Sequence, residues 1–184
     1  MRDDVIVRRR GELDLRDAAA ARDFFRRERP RDVIVAAARV GGIDANRQLP
    51  AEFIHTNLAI QTAVLAAAAE AGVRRLIFFG SACAYPRDAA SPIREDALFT
   101  GPVEPTSEAY AVAKLAGIKM CESYNRERGT RFLSVCPPTL YGPGDHVDPE
   151  RSHVVSALLA RFGAAPADGE VAVWGTGRQR RELM

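Results

Sequence analysis

The chain has 184 residues, 47% of them apolar, and its 26 basic and 24 acidic side chains leave a formal net charge of +2. This length suits one domain, or one domain and part of a second, and so small a charge excludes a general electrostatic preference for nucleic acid or membranes. Three cysteines without regular spacing fit neither a disulfide framework nor a metal site, and no apolar run approaches the ~18 residues of a membrane span, which predicts a soluble, cytoplasmic protein.

Apolar runs alternate with helical segments along the chain. Pro30 ends the first helix, Gly72 is the expected C-cap of the second, and Thr106 or Ser107 is the expected N-cap of the third. In chain order, the predicted elements are an apolar run at 5–7, a helix over 17–29, a strand over 32–38, a helix over 51–71, a strand over 75–80, a loop over 81–105, a helix from 106 or 107 to 129, a strand over 132–136, a helix over 151–162 and a short strand over 171–174.

The predicted strands are apolar on both faces. This pattern indicates a parallel sheet covered by helices on both sides, an α/β fold of the Rossmann-like, doubly wound kind. Ligands of such sheets bind beyond the carboxyl ends of the strands, where helix N-termini and loops gather. Chemistry is therefore expected in the segments 8–10, 38–42, 81–86 and 137–143.

Tyr110 and Lys114 are four residues apart on a predicted helix and so share one helical face. An ammonium beside a phenol favours the phenolate and lowers the pKa of the phenol, which would make the pair a proton relay. The same spacing also occurs by chance in surface pairs. Ser81 directly follows a buried strand, where its hydroxyl could bond a substrate carbonyl or cap a turn.

Five segments carry a family resemblance: GSACAYP at 80–86, EPTSEAYAVAK at 104–114, LYGP at 140–143, SHVV at 152–155, and VWGTG at 173–177 followed by Arg181-Glu182. With 12–15 and 36–43 they make the chain, nearly end to end, similar to the extended short-chain dehydrogenase/reductases. Within that family the resemblance is to the enzymes that epimerise and then reduce a GDP-linked 4-keto sugar.

The resemblance implies a role for each reactive residue. Cys83 and His153 match the acid/base pair that inverts C3 and C5 of the sugar, and both residue types can titrate near neutral pH. Tyr110 would protonate the C4 oxygen, Lys114 would lower the pKa of Tyr110 and hold the nicotinamide ribose, and Ser81 would bond the carbonyl. Cys121 and Cys136 are interpreted as small core residues.

The resemblance also implies NADP(H) as cofactor and a nucleotide sugar as substrate. Arg8 would contact the 2′-phosphate of the cofactor, although the adjacent arginines are equally consistent with a solvated face. Further cofactor contacts are expected from Gly80, Ser81, Lys114, Pro137, Thr139, Leu140 and His153, and sugar-nucleotide contacts from Arg161, Trp174 and Arg181. Trp174 could instead be a core residue.

The chain departs from the family pattern at both ends. No Gly-rich turn precedes Val5, so the resemblance implies a chain that starts at the family's second strand and stops soon after the substrate lobe begins. The expected organisation is a partial NADP-binding domain over 1–149 and the start of a nucleotide-sugar-binding lobe over 150–184, a fragment with little activity alone. Pro138-Thr139 replaces Thr-Asn, which leaves the sugar specificity less defined.

Three alternatives remain open at the level of sequence. Another nucleotide-sugar epimerase or dehydratase would keep Tyr110 and Lys114 without needing Cys83 and His153, and a truncated, non-catalytic module would bind no NADPH. A homodimer through the helix 51–71 and the helix bearing Tyr110 is expected from the resemblance. Packing of the same helices on the chain's own sheet would give the same pattern.

Overall fold

The computed structural model describes residues 5–145, 147, 152, 154–173, 176–177 and 182–184. Its elements in chain order are α1 (Ala18–Glu28), β1 (Asp32–Val35), α2 (Ile43–Gln48), α3 (Pro50–Glu70), β2 (Arg75–Phe79), short 3-10 turns at Ala82–Ala84, Glu95–Ala97 and Pro105–Ser107, α4 (Glu108–Arg128), β3 (Phe132–Val135) and α5 (Val154–Ala164). Across these ranges, no helix is both long and apolar enough to cross a bilayer.

Local chemistry sets the helix ends. The Asp17 carboxylate accepts hydrogen bonds from the backbone N–H groups of Ala19 and Ala20, which caps α1. Gly72 and Gly129 follow α3 and α4 in the left-handed conformation, at φ 69° and 65°, which glycine adopts without steric cost. The predicted end of the helix at Gly72 is confirmed, although the C-cap itself is Ala71 and Gly72 follows it.

The start of α4 agrees with the prediction in position but not in the capping bond. Ser107 stands directly before the helix but its side chain makes no capping bond. Instead the Glu104 carboxylate accepts from the Thr106 N–H at 3.3 Å and caps the 3-10 turn Pro105–Ser107 that leads into α4. The predicted N-cap position at Ser107 is confirmed, because α4 begins at Glu108, but the capping hydrogen bond at this end is made by Glu104, at the start of the preceding 3-10 turn.

The sheet has three parallel strands in the order β1-β2-β3. Val33 pairs with Leu76, and Leu76 pairs with Phe132. The predicted α/β class with a parallel sheet is confirmed. Each strand ends one to three residues before its predicted end, because the residues that follow already turn into the loops of the carboxyl edge.

Two predicted extended segments do not join this sheet. Val5 and Val7 are 85% and 73% exposed and pair with no strand among the described residues. Residues 171–173 are also irregular, so the predicted short strand there is wrong over that range. Apolar runs of three or four residues do not form strands unless a neighbouring strand accepts their backbone hydrogen bonds. The short helix α2, which was not predicted, follows the Gly41-Gly42 break.

The two faces of the sheet have different environments. Val35, Leu76 and Phe78 are at most 4% exposed and join the core formed with α1, α3 and α4. On the opposite face Ile34 is 66% exposed and Leu133 is 58% exposed. The helices packed on the sheet within the described ranges thus cover one face, where the strand pattern predicts cover on both.

We expect this open face to bind hydrophobic dyes. The Ile34→Thr variant should bind less 8-anilinonaphthalene-1-sulfonate and change the free energy of unfolding by less than ~0.5 kcal/mol, because its side chain is mostly in water. The matched variant Val35→Thr, on the buried face, should lose about 1–2 kcal/mol in urea unfolding because it buries a hydroxyl. Equal losses in the two variants would contradict this assignment of the faces.

Candidate active site

Lys114 is buried on the sheet side of α4. Only 3% of the residue is exposed, and its Nζ donates a hydrogen bond to the Phe79 carbonyl at the end of β2, at 2.8 Å. The same Nζ lies 4.8 Å from the centroid of the Phe78 ring and 5.8 Å from that of Tyr110. The two residues share one face as the spacing predicts, and the burial of Lys114 rules out a solvent-exposed pair.

The ionisation of the pair differs from the prediction. Burial raises the pKa of the Tyr110 phenol, a nearby Cys83 raises it further, and a hydrogen bond with the Ser81 side chain acts in the opposite direction. Burial also lowers the pKa of Lys114 from 10.5 to about 8. The expected lowering of the Tyr110 pKa by Lys114 is not observed, because loss of water around the phenol dominates and the ammonium is bound to Phe79.

Ser81 connects the end of β2 to the reactive residues. Its Oγ accepts a hydrogen bond from the Cys83 N–H at 3.2 Å and so caps the turn Ala82–Ala84. The same side chain lies near Tyr110 and acts to lower the pKa of that phenol, so the two roles considered from the sequence, turn cap and site residue, coexist. Cys83 is exposed. The structure therefore brings Ser81, Cys83 and Tyr110 together beyond the carboxyl end of the sheet.

Cys136 packs against the core, as expected, and also lies beside this site, which the sequence did not reveal. It is half-buried, whereas Cys121 is 1% exposed and is the core residue expected. Burial raises the pKa of the Cys136 thiol, and the nearby Ser81 backbone acts in the opposite direction. A Cβ at Gly80 would lie 2.7 Å from the Cys136 Sγ, so only glycine allows this approach. The position of Cys136 at a strand end was the available signal.

A buried amide anchors the loop that follows β1. Asn57 is 2% exposed; its Oδ1 accepts from the Arg39 N–H at 2.9 Å, and its Nδ2 donates to the Arg39 carbonyl at 3.0 Å. The Arg39 guanidinium carbon lies 5.5 Å from the centroid of the Phe53 ring. Phe53 meets Tyr110 edge to face, with centroids 6.4 Å apart. The loop thus forms one wall of the Tyr110 environment.

The segment after β3 pairs with the end of the chain. The Thr139 N–H bonds to the Glu182 carbonyl at 3.3 Å, and the Met184 N–H bonds to the Thr139 carbonyl at 3.1 Å. Pro137 is partly buried, and Leu140 is 51% exposed. These residues lie beyond the carboxyl end of a strand adjacent to β2, the position expected of cofactor-binding residues.

The remaining predicted binding residues lie further from Tyr110 along the chain. Arg8 donates to the Val7 carbonyl at 3.0 Å and lies 3.5 Å from the Glu28 carboxylate. Arg161, in α5, donates to the Ala172 carbonyl at 3.2 Å. Three predicted site residues, His153, Trp174 and Arg181, lie outside the described residues. The described residues contain no cluster of acidic, histidine or cysteine side chains that could bind a metal ion.

A parallel sheet with a serine after its second strand, followed by a helix bearing tyrosine and lysine one turn apart, defines a short-chain dehydrogenase/reductase. The chain belongs to the NAD dependent epimerase/dehydratase family, whose model matches residues 2–184. The predicted family resemblance is thereby confirmed.

Relatives of known sequence include several GDP-L-fucose synthases. The chain is 52% identical to "Probable GDP-L-fucose synthase 1" of Oryza sativa subsp. japonica and 48% identical to "GDP-L-fucose synthase" of Escherichia coli (strain K12), each over 183 residues. These alignments cover 98% of this chain but 56% and 57% of the two relatives. The chain therefore spans a little over half the length of the curated relatives it matches.

Solved structures agree with the sequence relatives. A GDP-L-fucose synthetase from Naegleria fowleri bound to NADP has a TM-score of 0.83 at 31% identity, over 95% of this chain and 58% of that one. A UDP-glucose 4-epimerase from Thermotoga maritima has a TM-score of 0.76 at 22% identity, over 94% of this chain and 53% of that one. The second likeness concerns the fold alone.

Proposed function

We propose that this chain contains the catalytic residues of an NADPH-dependent enzyme that epimerises C3 and C5 of GDP-4-keto-6-deoxy-D-mannose and reduces C4, giving GDP-L-fucose. The observation that carries the proposal is the convergence of Cys83 with Ser81 and Tyr110. Reduction alone does not require a thiol, whereas epimerisation beside a carbonyl requires an acid/base group of this kind. The names of the relatives support the same substrate.

The epimerisation depends on the acidity of the C–H bonds at C3 and C5, which lie next to the C4 carbonyl. Cys83, as thiolate, takes a proton from a carbon next to C4, and the electron pair moves onto the C4 oxygen as an enolate. Hydroxyl donors of Ser81 and Tyr110 stabilise that oxygen. The proposed partner His153 returns a proton to the opposite face, which inverts the carbon. Cys83 then gives its proton to water and His153 takes one from water, and the same sequence at the second carbon completes the epimerisation.

The reduction uses the phenol as an acid. When bound, NADPH supplies the hydride that is transferred to C4. The Tyr110 O–H donates its proton to the C4 oxygen, giving the alcohol. Burial raises the pKa of Tyr110, so the phenol stays protonated at neutral pH and ready to donate. Lys114, with a pKa of about 8, remains mostly an ammonium at pH 7.

The residues of the carboxyl edge fit the nicotinamide end of NADP(H). Lys114 uses one N–H on Phe79 and has two more for ribose hydroxyls. Gly80 has no side chain, which lets Cys136 pack closely against the end of β2 at the edge where the cofactor would lie. Arg8, with five N–H donors in its guanidinium group, would take the 2′-phosphate. Pro137, Thr139, Leu140 and His153 complete the proposed cofactor contacts.

The organisation of the chain is proposed on the same grounds. Residues 1–149 form part of an NADP-binding domain, and 150–184 begin a nucleotide-sugar-binding lobe, in which Arg161, Trp174 and Arg181 would contact the substrate. We propose a cytoplasmic homodimer that pairs through the outer faces of α3 and α4. Val112, which is 41% exposed on α4, supports this. Neither nucleic acid nor membrane is proposed as a partner.

Deuterium uptake tests the proposal without requiring hydride transfer. In deuterated buffer, the wild-type chain should exchange the C3 and C5 protons of the 4-keto sugar nucleotide slowly, at the low level expected of a chain that spans little more than half of its relatives, as followed by NMR and mass spectrometry over long incubation. The Cys83→Ser variant should lose most of this exchange, because serine is a far weaker acid than cysteine. Cys136→Ser, which removes the neighbouring thiol, is the control and should retain it.

Two outcomes would contradict the proposal. Exchange that is unchanged in Cys83→Ser would favour the second candidate, a nucleotide-sugar epimerase or dehydratase that uses Tyr110 and Lys114 alone. No exchange in the wild-type chain, together with no binding of NADPH in a fluorescence titration, would favour a non-catalytic module.

A further inference from the structure

A buried amide joins α3 to the turn of α4 that carries Lys114. Gln61, in α3, is 2% exposed, and its Nε2 donates to the Ala113 carbonyl at 2.7 Å. That carbonyl belongs to the peptide bond that ends at the nitrogen of Lys114. An amide buried between helices costs free energy unless it is bonded, so its bond selects one position of α4 over others.

The same turn is held from the sheet side. Gly117, one turn after Ala113, packs against the Phe78 ring so closely that a Cβ would lie 2.6 Å from Phe78 Cε1 and closer still to Cζ. That Cβ would also lie 2.9 Å from the Gln61 Oε1. Gln61 and Phe78 therefore pack tightly against α4 at Gly117, with no space for a larger side chain there.

The enclosed turn ends at the reactive amine. The Phe78 ring that packs on Gly117 also lies 4.8 Å from the Lys114 Nζ, and the next residue, Phe79, accepts the Lys114 hydrogen bond. A shift of α4 along its axis would move the amine off this carbonyl. Within the described residues Gln61 makes no hydrogen bond to the amine or to Tyr110, and it acts on them through the backbone of Ala113.

We propose that Gln61 is a positioning residue for Lys114. Its bond to the Ala113 carbonyl fixes the position of α4 along its axis relative to the sheet and thereby places the ammonium against the Phe79 carbonyl. Its catalytic consequence rests on the proposed function. The placement itself is a property of this chain and can be measured without substrate.

The pKa of Lys114 can be measured without assigning many signals, because Lys114 and Lys119 are the only lysines in the sequence. In a chain labelled with ¹³C at lysine Cε, pH titration by NMR follows each amine separately. The Gln61→Met variant keeps the length and volume of the side chain but cannot donate. We expect the pKa of Lys114 in this variant to rise toward 10.5 by at least ~0.5, because the displaced ammonium regains water, while the Lys119 resonance is unchanged.

Two further measurements separate positioning from stability. Phe25→Leu weakens the contact of α1 with α3, away from α4, and should leave the Lys114 titration as in the wild type even at a matched loss of stability. Cys136 and Tyr110 are the titratable groups that face Lys114. The titrations of both lysines are therefore repeated in a chain with Cys136→Ser, so that ionisation of the Cys136 thiol is not mistaken for a change at Lys114. An unchanged pKa of Lys114 in Gln61→Met, or an equal rise in Phe25→Leu, would overturn the proposal.

The wild-type chain gives a test that does not depend on folding of the variant. The side-chain amide protons of Gln61 should exchange with water far more slowly than those of the exposed Gln48. Equal exchange rates would overturn the proposal. Because neither readout uses turnover, an absent Lys114 shift with intact C3 and C5 exchange rejects only this inference, and the reverse result rejects only the proposed function.

Discussion

Replacing Gly117 by alanine is expected to lower the free energy of unfolding by about 2–3 kcal/mol, although alanine has the higher helix propensity. The added methyl would stand 2.6 Å from the Cε1 of Phe78 and 2.9 Å from the Oε1 of Gln61. Phe78 is 1% exposed and Gln61 is 2% exposed, so neither side chain can move aside freely. Relief would require α4 to lift from the sheet.

A second helical glycine provides the matched control. Gly163, in α5, has no neighbour within 4 Å of the position that a Cβ would take. Gly163→Ala should therefore raise the free energy of unfolding by up to ~1 kcal/mol through helix propensity. Urea unfolding followed by circular dichroism measures both. Similar effects of the two substitutions would mean that α4 does not pack on Phe78 as described.

Lys114→Met is expected to have a strongly pH-dependent effect on stability. Burial lowers the pKa of Lys114 from 10.5 to about 8, so between these values the unfolded chain binds more protons than the folded chain. The free energy of unfolding contributed by Lys114 must then rise with pH across this window. The full difference, from below pH 8 to above pH 10.5, corresponds to about 3 kcal/mol.

The comparison between variant and wild type isolates this contribution. Methionine removes the titrating amine, so residue 114 of the variant makes no contribution to stability that changes with pH. Relative to wild type, Lys114→Met should therefore be about 3 kcal/mol less favourable at pH 10.5 than at pH 7. Lys119→Met, at an exposed position, should change stability by less than ~0.5 kcal/mol at both pH values. A flat difference for Lys114→Met would place its amine in water.

Helix limits followed well from local signals. Asp17, Gly72 and Gly129 act within a few residues of themselves, by capping a helix or by taking a left-handed conformation, so their effect is visible in sequence. The short extended segments were less predictable. Residues 5–7 and 171–173 are apolar enough for strands, but a strand exists only where a neighbour pairs with it, and that neighbour is remote in sequence.

The sequence predicted which residues lie in the site better than it predicted their pKa values and hydrogen bonds. Helical spacing placed Tyr110 and Lys114 on one face, and the position of Ser81 after β2 placed it at the carboxyl edge. Neither signal indicates that the Lys114 amine binds Phe79 or that burial raises the pKa of Tyr110. Both depend on which surfaces α4 covers. Cys136 and Gln61 were not predicted for the same reason: they lie near the site only because of how the helices and strands pack.

The order of residues along this chain was enough to establish an α/β fold with a parallel sheet, the ends of its main helices and the family to which it belongs. Those features depend on periodicity, capping and motif spacing, which act over a few residues. The depth at which Lys114 is buried, the contact of Gly117 with Phe78 and the uncovered face bearing Ile34 came from the packing of segments far apart in sequence. Burial and close contact arise only when such segments meet, and they set the pKa values on which the proposed chemistry depends.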